Sequence, residues 1–314
     1  MAPPLTTERP PLSALLHPRH WHQWVGIALV RAVSMLPLPV MWAIGALLGQ
    51  LAYYAAAGRR RVVAVNLGRC FPELGSAERR RLAKQHFRAL GQTVLDTGLA
   101  WWASEARLRR SVKLKNRHYL DRAVADGKNV ILLAPHFLGL EIAGIRVSLE
   151  QPLVAVFDQL HNAAMRRVMH AQRTRFQLQL LEMDRSIVSL VKKVRAGVPL
   201  YYLPDQDPGA RNSAFIPFFD IPTATFTVLG RLARMTGAVV IPCYSRQLRW
   251  GQGYEVLFSA PLREFPTGDP VADATRMNRE IESAIRKMPA QYLWVHKRFK
   301  TRPIGEPDFY NPVS

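Results

Sequence analysis

The clearest signal in the chain is the apolar run Val130-Ile-Leu-Leu-Ala134, closed by Pro135. It has strand length and no polar alternation, so it reads as a parallel strand buried on both faces. Gly139 then turns the chain, and Ile142, Ile145 and Leu149 recur at helical spacing, which predicts a helix over 141–149. The alternation continues with strands over 153–157, 198–203, 238–244, 254–258 and 291–295, and helices over 162–175, 185–196, 223–236 and 271–287. Gly197 and Gly237 stand where helices should end, each followed by a β-rich run. This order predicts an α/β fold, a mostly parallel sheet flanked by helices.

The first 128 residues follow a different pattern. Residues 62–128 read as helical, with a long helix from about Ala77 to Ala103 whose apolar face is Leu82, Phe87, Leu90, Val94 and Leu95. Before it, Trp21–Val30 is apolar and residues 32–57 carry no charge, a span longer than the ~20 residues of a bilayer-crossing helix. Pro37 and Pro39 kink or divide it, and Gly58-Arg59-Arg60-Arg61 closes it with a basic block of the kind retained in the cytoplasm. The expected organisation is a flexible N-terminus (1–19), a membrane-anchoring helix or helical hairpin (20–61) and one catalytic domain (62–314). A Pro-broken pair of core helices is the competing reading, which the length of the run disfavours. A cleaved signal peptide fits badly, because no small-residue cleavage site follows.

Composition adds one strong fact. Lys and Arg number 43 against 23 Asp and Glu, a formal charge of +20. Such a surplus suits an anionic partner: nucleic acid, an anionic membrane face or an acidic protein. Arg79, Arg80, Arg81, Lys84 and Arg88 crowd the start of a helix, where positive charge opposes the macrodipole. They form either a solvated face or an anionic-surface contact. Cys70 and Cys243 fit neither a disulfide framework nor a zinc site.

Candidate chemistry starts at His136, just past the central strand, with Glu141 five residues later. Ligands and reactive groups gather at the carboxyl ends of strands in open α/β sheets. A carboxylate can steer one imidazole nitrogen and leave the other free to take a proton from a hydroxyl. Asp205 and Asp207, in Pro204-Asp-Gln-Asp-Pro-Gly209, follow another strand and could face the same crevice; for Asp207 the Asp-Pro-Gly turn is at least as good an account. Arg211 precedes Phe215-Ile-Pro-Phe-Phe219, either an acyl-chain wall or ordinary core. Asn162, Arg166, Arg167, Arg173 and Arg175 share one helical region, and one or two of these arginines should reach the site. The basic aromatic segment Tyr292–Pro303 lacks the alternation of an RNA-binding strand.

Several classes drop out. The Gly139/Gly144 spacing is followed by Ile145-Arg146 where a phosphate-binding loop needs Lys and Ser or Thr. The chain has no Gly-x-Ser-x-Gly elbow, no dinucleotide fingerprint and no His-Glu-x-x-His. A base-assisted transfer with the substrate's hydroxyl as nucleophile remains.

Taken together, the motifs resemble those of the bacterial lipid A biosynthesis late acyltransferases, the lauroyl and myristoyl transferases, within the wider glycerophosphate acyltransferase-like group. The likeness runs from about Asn66 to Tyr310: Asn66-Leu-Gly-Arg-Cys-Phe-Pro-Glu-Leu74, His86-Phe87 with Gly91, His136 with Glu141, Asp205-Gln-Asp-Pro-Gly209, Phe215–Phe219, and Trp294-Val-His-Lys-Arg-Phe-Lys-Thr-Arg-Pro303. The resemblance implies acyl transfer from an acyl carrier protein to a hydroxyl of a lipid A precursor of the Kdo-lipid IVA type, at the cytoplasmic face of the inner membrane. It implies His136 as general base with Glu141 orienting it, Arg175 as a substrate-binding arginine and Asp205 in the family's acidic turn; Asp207 and Arg211 stand beside them as candidate substrate contacts. No metal or dissociable cofactor is expected, and no nucleic-acid partner. Lys297 and Asp96 depart from the family's commoner arginine and glutamate. A glycolipid or lysophospholipid acceptor of another kind, or a non-catalytic basic membrane binder using residues 79–88, are the alternatives. The main reading requires Glu141 beside His136 and an apolar path leading to them.

Overall fold

The computed structural model describes residues 21–157, 163–182, 187–211 and 213–311. The expectations for residues 1–19 and for Asn162 therefore lie outside the described residues. In chain order the elements are α1 (Trp21–Val33), α2 (Leu38–Ala55), α3 (Ala57–Cys70), α4 (Ser76–Trp102), α5 (Glu105–Ser111), β1 (Val112–Lys115), α6 (His118–Ala125), β2 (Val130–Leu133), α7 (Leu140–Ser148), β3 (Leu153–Phe157) and α8 (Ala163–Arg173). There follow β4 (Leu178–Glu182), α9 (Ile187–Arg195), β5 (Leu200–Tyr202), β6 (Ser213–Phe218), β7 (Ile221–Phe226), α10 (Val228–Thr236), β8 (Val239–Gln247), β9 (Tyr254–Phe258) and α11 (Pro270–Lys287).

Seven strands form the main sheet in the order β1-β9-β8-β2-β5-β3-β4. All neighbours are parallel except β8 and β9. The unbroken apolar run of β2 is explained by its central place: Val130 and Leu132 join one buried cluster, Ile131 and Leu133 the other, on opposite faces of the sheet. Helix α4 contributes to both clusters, with Phe87 in one and Leu95 and Leu99 in the other.

Three departures from the sequence reading have local causes. Residues 223–226, expected in a helix, are the end of β7, where Thr223, Thr225 and Phe226 pair with β6 in a hairpin. Its turn residues Phe219 and Asp220 both take positive φ (50° and 61°), as a type I′ turn demands. Phe215 is exposed on this hairpin, while Ile216, Phe218 and Phe219 are core. Second, β1 and β4 are short strands that the sequence pattern does not announce. Third, residues 291–295 form no strand: a strap crosses the site there, held by one antiparallel bridge between Phe137 and Tyr292.

The apolar N-terminal region is two helices, α1, which carries Arg31, and the uncharged α2, divided between Val33 and Leu38. Helix α2 is long and apolar enough to cross a membrane, yet one face is tied to α4. A Cβ at Gly49 would meet the Phe87 carbonyl at 2.0 Å, and one at Gly91 would meet the Gly45 carbonyl at 2.2 Å. Only glycine allows so close a crossing. The outward face of the pair, with Trp21, Val25, Leu29, Leu47, Leu51 and Tyr54, stays exposed.

Candidate functional site

His136 and Asp205 meet because their strands are in register. β2 and β5 are adjacent and parallel, with Leu133 opposite Tyr202, so positions three residues past each strand end fall side by side. The Asp205 carboxylate takes both available donors of residue 136, the backbone N–H at 2.9 Å on Oδ2 and ring Nδ1 at 2.7 Å on Oδ1. Asp205 is 1% exposed. Burial pushes its carboxyl up, but the charge of the His136 ring and the hydrogen bonds from His136 and Tyr292 outweigh this and hold it below its ordinary range. The other ring nitrogen, Nε2, has no protein partner among the described residues.

Glu141 is not the carboxylate that meets this ring. It sits in the first turn of α7, which Gly139 directs away from β2, and it clamps Arg173 instead. Arg173 Nε lies 2.8 Å from Oε1 and Nη2 lies 2.5 Å from Oε2, while Trp101 Nε1 donates to Oε1 at 2.8 Å. Of the arginines in the α8 region, Arg173 rather than Arg175 is thus fixed on a candidate site residue. Arg175 turns to the C-terminal end of α4, donating to the carbonyls of Ala100 (3.1 Å) and Ala103 (2.7 Å), and stacks on Phe176.

Asp207 is committed to the fold. Its carboxylate accepts from Gly209 N (2.8 Å), Thr301 N (2.7 Å) and Thr301 Oγ1 (2.8 Å), and so pins the C-terminal segment to the acidic turn. Its own N–H donates to His296 Nε2 at 3.0 Å. Burial, with Arg298 and His136 nearby, lowers the His296 pKa to about 4, so the ring is neutral and free to accept. Arg211 is exposed on the following turn.

The strap over His136 depends on residues that no catalytic motif marks. Asn66 Nδ2 donates to the carbonyls of Trp294 (2.7 Å) and His296 (2.9 Å), and its Oδ1 accepts from Tyr310 Oη. His86 Nδ1 holds the Ala290 carbonyl at 3.1 Å, and Leu293 N donates to the carbonyl of His136 at 3.0 Å. The buried Arg298 guanidinium bonds Ala224 O and Thr225 Oγ1 beneath the strap. A signal for two of these was present: Asn66 and His86 are polar side chains on helix faces otherwise made of Val63, Leu67, Leu82 and Phe87. Together these contacts close a narrow cleft around His136 and Asp205, lined by Tyr292, Trp294, His296 and Arg298. That lining is mainly polar and aromatic, and the expected apolar path for an acyl chain is not formed by it.

An imidazole held by a buried aspartate at the carboxyl edge of a mostly parallel sheet is an arrangement suited to proton transfer in α/β proteins. A sequence model described as "Bacterial lipid A biosynthesis acyltransferase" matches residues 10–301, and the chain belongs to this family. It is 34% identical to the lipid A biosynthesis lauroyltransferase of Escherichia coli (strain K12), over 95% of this chain and 97% of that one. Its identity to the palmitoleoyltransferase of the same organism is 33%, over 94% and 96% of the two chains. The myristoyltransferase there is 30% identical, over 92% and 90%. Among solved structures, the 1-acyl-sn-glycerophosphate acyltransferase of Thermotoga maritima is 13% identical, with a TM-score of 0.39 over 81% of this chain and 96% of that one; that likeness is too weak to add to the family match.

Proposed function

We propose that this acyltransferase moves a fatty acyl chain from an acyl carrier protein thioester to a hydroxyl of a lipid A precursor, with His136 as general base and Asp205 as the group that steers it. The observation that carries this is the 2.7 Å contact from ring Nδ1 to Asp205, which leaves Nε2 for the substrate. A sugar hydroxyl is a weak nucleophile at neutral pH, and a positioned base contributes ~100- to 10,000-fold. As Nε2 takes the hydroxyl proton, the oxygen attacks the thioester carbonyl and the new C–O bond forms. The C–S bond then breaks, and the imidazolium returns the proton to the departing thiolate. Asp205 stabilises the imidazolium between the two steps. Glu141 acts one contact further out, holding Arg173 and the Trp101 indole in place.

The family's substrate and the charge of +20 both support acidic or phosphorylated partners, which the carrier protein and the acceptor lipid supply. The α1–α2 pair rests on the cytoplasmic face of the inner membrane as an in-plane anchor. A spanning α2 would carry Gln50 and the Arg88 guanidinium bonded to it into the hydrocarbon, which is costly. Lying in the interface, the pair buries its exposed apolar face and leaves the arginines at headgroup level.

The test is turnover of acyl carrier protein and a tetra-acylated disaccharide acceptor by purified His136→Ala and Asp205→Asn proteins. His136→Ala should lose ~100- to 10,000-fold in kcat with its melting temperature kept, and Asp205→Asn should show a smaller loss with a displaced pH profile. Full activity in His136→Ala would refute the assignment.

A further inference from the structure

A second concavity adjoins the start of the strap. It is a groove of about 800 Å³ between α2, α4, the end of β8 and the residues after α11. Arg88, Arg246, Arg249 and Lys287 line it, and among the described residues no acidic side chain does. Arg246 is paired with Glu255. Arg88 bonds the neutral Gln50, and among the described residues neither it nor Arg249 nor Lys287 has an acidic partner. Three uncompensated cations converging on one concavity raise a positive potential that the surrounding low-dielectric walls focus.

The geometry of α2 indicates what fills it. Met41, Gly45, Gly49 and Tyr53 face α4, whereas Trp42 and Ala46, one residue round the helix from Met41 and Gly45, form a wall of the groove. Leu47, Leu51 and Tyr54 complete the circumference on the exposed side. The groove therefore opens beside the apolar face that meets lipid, and the Trp42–Trp250 pair, with ring centroids 4.7 Å apart, stands at that border as interfacial aromatics do. At the inner end, Gln291 belongs to the groove and Leu293 to the His136 cleft. Two residues of extended chain, roughly 7 Å, separate them.

We infer that this groove holds the phosphorylated headgroup of the acceptor lipid, its acyl chains lying along α2 in the membrane while its sugar reaches across the strap to His136. The inference rests on the acceptor reading above. Arginine forks and lysine suit phosphate oxygens, and the volume is that of a small-molecule site.

The experiment compares the full chain, Arg249→Gln/Lys287→Gln and His136→Ala in detergent micelles. Each is titrated with a phosphorylated tetra-acylated disaccharide lipid and with its dephosphorylated counterpart. The wild type and His136→Ala should prefer the phosphorylated lipid. The double variant, whose exposed substitutions leave the melting temperature in place, should lose ~10-fold or more of that preference, and Arg249→Lys should keep most of it. In turnover, the acceptor KM should rise by a similar factor with the carrier-protein KM unmoved. An unchanged preference overturns the inference, as does a KM shift confined to the carrier protein, which would make the groove the donor's dock. Binding that depends on these side chains without any transfer to the bound lipid would support the groove and refute the acceptor reading instead.

Discussion

Asp96 shows how much a single buried side chain can govern. It lies inside α4 with Oδ1 accepting from Gln92 Nε2 at 2.8 Å and from Tyr254 Oη, and Oδ2 from Gln247 Nε2 at 2.8 Å. Burial raises its pKa to about 7, against the partial pull of those three hydrogen bonds. The folded chain therefore holds a proton that the unfolded chain has released above pH ~4. Stability from this group is complete below that value and is lost as pH climbs from about 4 to about 7. Asp96→Asn keeps an acceptor and removes the titration. Relative to the wild type it should gain stability across that window, by something on the order of 4 kcal/mol at the top, in denaturant unfolding at a series of pH values. Parallel curves for the two proteins would rule the account out. At this same scale the sequence set His136 at a strand end with Asp205 in its crevice and expected Glu141 on the imidazole, whereas the carboxylate in contact with the ring is that of Asp205. A spacing of five along the chain says little once Gly139 turns α7 away, whereas the register of β2 on β5 fixes residues 136 and 205 together.

Helix α2 sets the question at the level of elements. Its composition alone suits a bilayer span, and only its neighbour reveals that it is docked. Gly45, Gly49 and Gly91 let α2 and α4 approach to backbone contact, a geometry that any side chain disrupts. Gly91→Ala should destabilise the protein by about 1–3 kcal/mol through overpacking and weaken retention on anionic vesicles as α2 loosens. Gly58→Ala supplies the contrast: nothing stands within 4 Å of its added methyl group, so helix propensity should make it neutral or slightly stabilising. Thermal melts and vesicle flotation of the two variants test this; equal effects would mean the glycine contact is unimportant. The long α4, the α7, α9 and α11 helices and the β2, β3 and β9 strands were legible from periodicity. The strap was not, because its backbone is satisfied by distant partners such as Asn66, and the β6–β7 hairpin was not, because residues 223–226 of its second strand were read as the start of a helix.

On the scale of the whole molecule, charge is the organising quantity. A protein of +20 meeting an acidic carrier should associate with electrostatic steering, and steering weakens as salt shortens the Debye length from ~10 Å at 0.1 M. The expected outcome is a steep fall in kcat/KM for the acyl carrier protein between low and physiological ionic strength. A short uncharged acyl thioester should show a much flatter profile. Similar profiles for both donors would argue that the cations serve only lipid. Arg80 and Arg81 at the exposed start of α4, and the cations around the groove, are separate places at which mutation can test the two proposed partners.

The alternation of strands and helices after residue 129, the buried character of β2, the place of His136 at its strand end and the excess of positive charge follow from the sequence by itself. Each is carried by local periodicity or by composition, which do not depend on distant contacts. Which carboxylate steers His136, the task of Asp207 and Arg175, the docking of α2 and the groove beside it were decided only by the tertiary structure. Those features are made by residues tens to hundreds of positions apart, brought together by strand register and by glycine-to-backbone contact.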